Sequence, residues 1–564
     1  MFRFGRKIYA DNNATTPVGK QARKAMTAVL TGLQANPSTP YRDGRLAAEV
    51  LDAARRDLGA VLNVPPGTIV FTSGATESNN HVRAIAPLLP PDKRLIVHSP
   101  MEHPAMLEPL RMLEKEGFVL VAAKPDRQGR IGVPGIREVW DDRVGLLVMM
   151  AANNETGTLY DVAGFAKFAR ARGALLFSDM VQALGKTPVD LRALGVDYAS
   201  FSAHKIHGPK GVGALYVRDG APYAPFMAGG GQEDGRRAGT EALHNIAGFA
   251  AAAREVPGML AGGGRLRELR DLFVRGLREI MPEAAVNSPL GTDCQPGTVS
   301  LTLPGHDNAF LLGQLDFHGI SVAAGSACAT GANEPSHVLL AMGLSPGEAR
   351  STLRLSFGHD FSVRDLDYLL HVFKIVLKGD EKNEIGVVSP AELTDAFLSQ
   401  KDLTVVHIKR LPRLPGPTPL PGSRVVALGD RKTWDDLEVP SKLLLTCEVG
   451  YDAPIIGWSL RKRGVRNISV LALGLWGLKL TRPDLWARLS AMREEEEKRA
   501  AEGARDEAGG ENKVGRLGKA GENRQTRGRG TAVFDEREKS EVEQSGTPPG
   551  KINNAGSQPA HKSP

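Results

Sequence analysis

Cysteine is scarce in this chain: 564 residues contain three, Cys294, Cys328 and Cys447, with no CxxC pair and no Cys/His grouping at zinc spacing. Neither a disulfide framework nor a structural metal site is expected. Long apolar runs are missing too; no stretch approaches the roughly 18 to 20 residues of a membrane span. The opening MFRFGRKIYADNN lacks the apolar core of a secretory leader. The expectation is a cytoplasmic protein without membrane contact, where a lone thiol stays reduced. An excess of one charge is nearly absent, since 71 Lys and Arg against 64 Asp and Glu leave +7 over the whole length. That is too dilute to imply a nucleic-acid partner. What is present is ordinary for a globular protein, 41% hydrophobic and 24% charged, and the length predicts two or three domains.

From about residue 8 to 377, short apolar runs alternate with amphipathic stretches. Ile69 to Phe71, Arg94 to Val97, Gly145 to Met150 and Ala174 to Phe177 read as strands buried on both faces, with helices such as Asp161 to Arg172 between them. The class is α/β with a mostly parallel sheet, and chemistry in such sheets gathers at strand carboxyl ends. The polar stretch 378–388 reads as a linker. Residues 389–487 form a second α/β unit, with a helix signal at Ser389 to Leu393, strands at Thr404 to Ile408, Lys442 to Thr446 and Ile468 to Leu473, and Cys447 directly after the second of these. From 493 to 564 the chain is polar and charge-balanced, which predicts a disordered tail.

The richest segment is Ser200-Phe-Ser-Ala-His-Lys205, running into a glycine-rich stretch. A lysine there, flanked by His204, suits Schiff-base chemistry, which needs an amine whose pKa burial and cationic neighbours have lowered. Other polar clusters also follow strands. Asp179 and Gln182 do, and a strand-end carboxylate can pair with a pyridinium nitrogen. Thr72 to Asn79 supplies small residues and hydroxyls before a helix, a phosphate cradle. Glu102-His103 and Ala152 to Glu155 complete the set.

Together with Asp11-Asn-Asn-Ala-Thr-Thr-Pro17, Ser73 to Ser78 (SGATES), Asn153 to Gly157 (NNETG), Ser202 to Lys205 (SAHK), Arg237 to Thr240 (RAGT), Gly325 to Cys328 (GSAC) and Arg354, these motifs make residues 1–377 resemble the NifS/IscS-type cysteine desulfurases. Those are class V aminotransferase-like, fold-type I pyridoxal-phosphate (PLP) enzymes with a large mostly parallel-sheet domain and a small α/β domain. The resemblance implies a homodimer acting on L-cysteine. Lys205 would hold PLP, Asp179 and Gln182 would meet its ring, and His103 would stack on it and assist proton transfer. Ala75, Thr76, Ser202 and His204, with Thr240 of the second subunit, would hold the phosphate. Asn154, beside the cofactor, and Arg354 would grip the substrate carboxylate. Cys328, in a Gly/Ala/Ser loop, would take the sulfur as a persulfide for an acceptor such as an iron–sulfur scaffold, a tRNA-thiolation relay or a molybdenum-cofactor pathway. Selenocysteine lyase, another class V reaction and a non-catalytic binding protein of the same fold remain as rivals.

Residues 389–487 resemble a rhodanese domain, in which loop N–H groups converge on a strand-end cysteine and lower its pKa. Two acidic residues, Glu448 and Asp452, and His407 in place of a usual aspartate depart from that pattern. Two readings stay open: Cys447 accepts sulfur from Cys328, or the unit only docks.

Overall fold

Runs of Val, Ile, Leu and Phe become strands buried along their length, as a sheet covered on both faces requires. The computed structural model describes residues 7–325, 335–378, 385–410, 417, 419–435, 437, 441–448, 450–472 and 474–511. After a short strand, β1 (Ile8–Tyr9), come β2 (Ile69–Thr72), β3 (Leu95–His98), β4 (Val119–Ala122), β5 (Val144–Val148), β6 (Leu175–Asp179), β7 (Tyr198–Ser202) and β8 (Gly213–Val217). These last seven form one sheet in the order β2-β8-β7-β6-β5-β3-β4. Strand β8 runs antiparallel to β2 and β7, and the remaining pairs are parallel. Alternate residues feed opposite cores: Val70, Ile96, Leu146 and Phe177 one way, Phe71, Val97, Leu147 and Leu176 the other. The carboxyl ends of β2, β3, β5, β6 and β7 therefore share one edge, as the strand-end clusters predict.

A small domain follows, built on β9 (Ala285–Val286), β10 (Thr298–Thr302), β11 (Ile320–Ser321) and β12 (Thr352–Ser356). Strands β12, β10 and β9 pair antiparallel, and β11 pairs in parallel with β1. Helices Gly263–Ile280 and Val363–Lys378 cover this sheet around Phe273, Leu355 and Phe373.

A further sheet holds β13 (Gly386–Val388), β14 (Leu403–Lys409), β15 (Arg424–Ala427), β16 (Lys442–Cys447) and β17 (Ile468–Leu471), all parallel in the order β13-β17-β16-β14-β15. Three expectations need correction here. The presumed linker 378–388 is shorter, because the preceding helix reaches Lys378 and Gly386–Val388 pair with β17. The helix signal at Ser389 gives only a turn, closed by reciprocal Ser389 and Glu392 bonds, and the helix begins at Asp395. The polar segment from 493 is helical as far as Glu511 within helix Pro483–Glu511, where Arg493 pairs with Glu496 and Glu497.

The described residues up to Arg499 form one compact unit. Helix Asn308–Phe317 of the small domain packs on helix Asp452–Lys462, with the Phe317 and Trp458 rings stacked at 5.6 Å. Gly313 permits the approach, since a Cβ there would stand 2.8 Å from the Tyr451 carbonyl oxygen.

Candidate active site

At the shared edge, strand-end residues line a cavity of about 600 Å³. Asp179, the last residue of β6, is buried; its Oδ2 accepts a bond from Asn79 Nδ2 at 2.7 Å and its Oδ1 one from the Val181 N–H at 3.0 Å. Asn79 sits in helix Ala75–Asn80, whose first residues, Ala75 and Thr76, also line the cavity. Beyond β7, a single 3₁₀ turn carries Lys205 in, and its Nζ donates to the Asn13 and Ala14 carbonyl oxygens at 2.6 and 2.8 Å. His204 beside it lies 3.1 Å from Thr15 Oγ1; burial, then Lys205 and Lys210, push its pKa down to about 4.

His103 caps helix Pro104–Lys115, with proline at the first helical position where no N–H is missed. Its Nδ1 accepts the Ala105 N–H at 3.0 Å, so a neutral ring carries its proton on Nε2. Burial keeps that ring's pKa below the ordinary value, against the pull of Asp179. Glu102 is fully buried; one oxygen accepts the Met150 N–H at 2.6 Å, and Oε2 has no partner among the described residues. Burial, then Asp179, drives its carboxyl well above the usual range. Arg354 on β12 reaches across from the small domain, donating to Asp11 Oδ1 at 2.6 Å and to the Asn154 carbonyl at 3.1 Å.

The cavity brings together Ala75, Thr76, His103, Asn154, Asp179, Gln182, Ser202, His204, Lys205 and Arg354. Thr240 is not among them. It lines a neighbouring space of about 130 Å³ with Ser73 and Gly211, while Arg237 of the same motif pairs with Glu77 at 2.8 Å. Cys328 lies outside the described residues. Both flanks of its segment meet Glu155, which lines the cavity: Ser336 Oγ donates to Glu155 Oε2 at 2.6 Å, and a Cβ on Gly325 would lie 3.0 Å from that oxygen.

Two residues carry more than the motifs suggest. Asn13 bonds Lys205, Gln182 and Lys186 on one side and Asn154 and Thr298 on the other. Lys186 is half-buried, and desolvation, then Lys205 and Arg354, puts its pKa far below that of an ordinary lysine. Its one sequence signal is the four-residue spacing from Gln182, whose Oε1 it bonds.

Far along the chain, Cys447 ends β16 and is buried. The Ala453 N–H points at its sulfur at 3.4 Å, as converging loop donors would. Burial outweighs them and pushes the thiol up to about 11, so the low pKa of the rhodanese pattern is not met. Asp452, which stands where that pattern has arginine, pairs with Arg410 from the end of β14.

This architecture, a seven-stranded mostly parallel sheet plus a small domain with a lysine at the shared edge, is that of the fold-type I PLP enzymes. The comparisons narrow it. Residues 8–369 match the family model "Aminotransferase class-V", and the chain belongs to that family. A cysteine desulfurase of Cereibacter sphaeroides is 40% identical over 371 residues, 65% of this chain and 94% of that one. A solved NifS-like protein superposes with a TM-score of 0.62 at 34% identity, covering 66% of this chain and all of the other. The structure titled "SspA in complex with cysteine" reaches 0.56 at 30% identity, over 62% of this chain and 99% of its own. The family match ends before the five-stranded sheet.

Proposed function

We propose that the chain is a PLP-dependent cysteine desulfurase, converting L-cysteine to L-alanine and leaving the sulfur on Cys328. The observation that carries this reading is the convergence of Lys205, Asp179, His103 and Arg354, from four separate elements, on one cavity of about 600 Å³. That volume is the size of a small-molecule site.

The donors present fit the cofactor. Lys205 supplies the amine that would hold it, Asp179 a buried carboxylate for a ring nitrogen, and Gln182 an amide for a ring oxygen. The first turn of helix Ala75–Asn80, Ser202 and His204 would face its phosphate. Bound there, PLP would supply an electron sink for charge developing at the substrate Cα. Arg354 and Asn154 would orient the substrate carboxylate; the Arg354 Nε has no partner among the described residues, so the guanidinium has a donor to offer. Lys205 and neutral His103 would take and return the Cα proton. The Cys328 thiolate would attack the substrate sulfur as the bond from that sulfur to the substrate Cβ breaks, and the Ser336 bond to Glu155 with the close approach of Gly325 supports its delivery there.

Residues 389–487 are, in this proposal, a rhodanese-like unit that docks on the small domain, with Cys447 as a second sulfur carrier. That Thr240 lies off its own chain's cavity supports a homodimer in which it serves the other subunit. The acceptor would be an iron–sulfur scaffold or another sulfur-carrying protein.

The test is peptide mass spectrometry of the PLP-loaded protein after incubation with L-cysteine, with alanine measured in parallel. Alanine together with one added sulfur on Cys328 is the expected result. Alanine formation unchanged by Cys328→Ser, or none from the loaded protein, would reject the reading.

A further inference from the structure

Lys186 is a half-buried lysine beside the site to which the proposed mechanism gives no role. Its Nζ bonds two side-chain oxygens, Asn13 Oδ1 at 2.7 Å and Gln182 Oε1. Those partners are joined in turn, because Gln182 Nε2 donates to the Asn13 carbonyl at 2.9 Å, and that same carbonyl accepts Lys205 at 2.6 Å.

The arrangement settles which way two amides face. An amide side chain has one acceptor end and one donor end, and a lysine can only donate. With both oxygens taken by Lys186, the Asn13 amide must turn its NH₂ toward the Asn154 carbonyl and Thr298 Oγ1, each at 3.0 Å. The Gln182 amide must turn its NH₂ toward the Lys205 side. We infer that Lys186 is a positioning residue: by holding the Asn13 and Gln182 oxygens it fixes the Gln182 N–H as a donor facing the cofactor ring and keeps the Asn13 carbonyl in place for Lys205. This inference rests on the PLP reading of the site. The charged groups around Lys186 are Lys205, Arg354 and Asp11, with His204 and His359 also within its field.

Without Lys186 the Gln182 amide keeps only one of its two orienting bonds, that to the Asn13 carbonyl. A ring oxygen then meets a less firmly held donor, its anionic form is less stabilised, and protonation of the lysine-bound cofactor becomes easier. The experiment titrates the visible absorption band of full-length protein loaded with PLP, for the wild type, Lys186→Met, Lys186→Arg and Lys205→Ala, alongside PLP affinity by fluorescence. The Met variant should titrate at higher pH and bind PLP about tenfold more weakly, the scale of one lost buried hydrogen-bond partner. The Arg variant, still a donor, should recover part of both. A Met variant that melts like the wild type and keeps the same titration and affinity overturns the inference. A wild type that develops no band, or a band that survives in Lys205→Ala, instead overturns the PLP reading.

Discussion

At the scale of single residues, the site is a set of side chains whose charge states are fixed by what surrounds them. Asp179 is held by Asn79 and a backbone N–H at the end of β6. Replacing it by Asn keeps the shape and removes the charge, so Asp179→Asn should retain the fold and lower kcat about 100-fold or more in a single-turnover alanine assay. His103 offers a pH test. Burial sets its pKa below the ordinary histidine value, so the neutral ring persists to more acid pH than a free imidazole would. The acid limb of kcat/KM should therefore fall below about pH 6.5, and His103→Asn should abolish that limb. Lys205, Asp179 and His103 are legible in the sequence because each stands directly after an apolar run. Asn13 and Lys186 are not, because their meeting spans 173 positions and no local pattern announces it.

At the scale of elements, runs such as Leu146 to Val148 and Leu443 to Leu445 announce their strands because burial on both faces demands unbroken apolar text. The small domain is harder to read, since β9 and β11 have two residues each and draw their pairing from distant chain. The helix reaching Glu511 is missed for another reason: Glu, Lys, Arg and Ala are strong helix formers, so low hydrophobicity does not preclude a helix. Strand β14 carries a pH-dependent weakness. His407 is 2% exposed, its Nδ1 lies 3.1 Å from Thr446 Oγ1, and burial, then Lys409 and Arg493, pushes its pKa down to about 4. The folded value lies below the unfolded one of about 6.5, so the unfolded chain takes up the proton first. The contribution of the neutral His407 to stability is complete above that unfolded value and is lost as pH falls toward the folded one. Thermal melts across this window should show the decline, and His407→Gln should flatten it.

At the scale of the whole molecule, the five-stranded unit meets the small domain through the turn that follows its cysteine. Tyr451 faces Gly313, and Trp458 stacks on Phe317. A thiol as buried as Cys447 should react slowly with a maleimide in the intact protein. Phe317→Ala, far from the catalytic cavity, should loosen this contact at a cost of about 3 kcal/mol. Peptide mapping should then find Cys447 labelled several times faster, with alanine production unchanged. Equal labelling rates would mean that the unit's own loop, and not the docking, seals the sulfur.

The pairing of β1 with β11, and of Asp11 with Ser356 beside it, has a consequence in time. Asn13, on which both site lysines converge, is steadied by Ser356 Oγ at 2.9 Å across 343 positions of chain. During synthesis the first strand must therefore wait, unpaired, until nearly the whole enzyme portion has left the ribosome. Closing so long a loop is among the slower steps a folding chain faces. The large sheet can assemble early, but the pocket is finished last, so regain of cofactor binding should lag behind regain of secondary structure when the denatured protein is refolded.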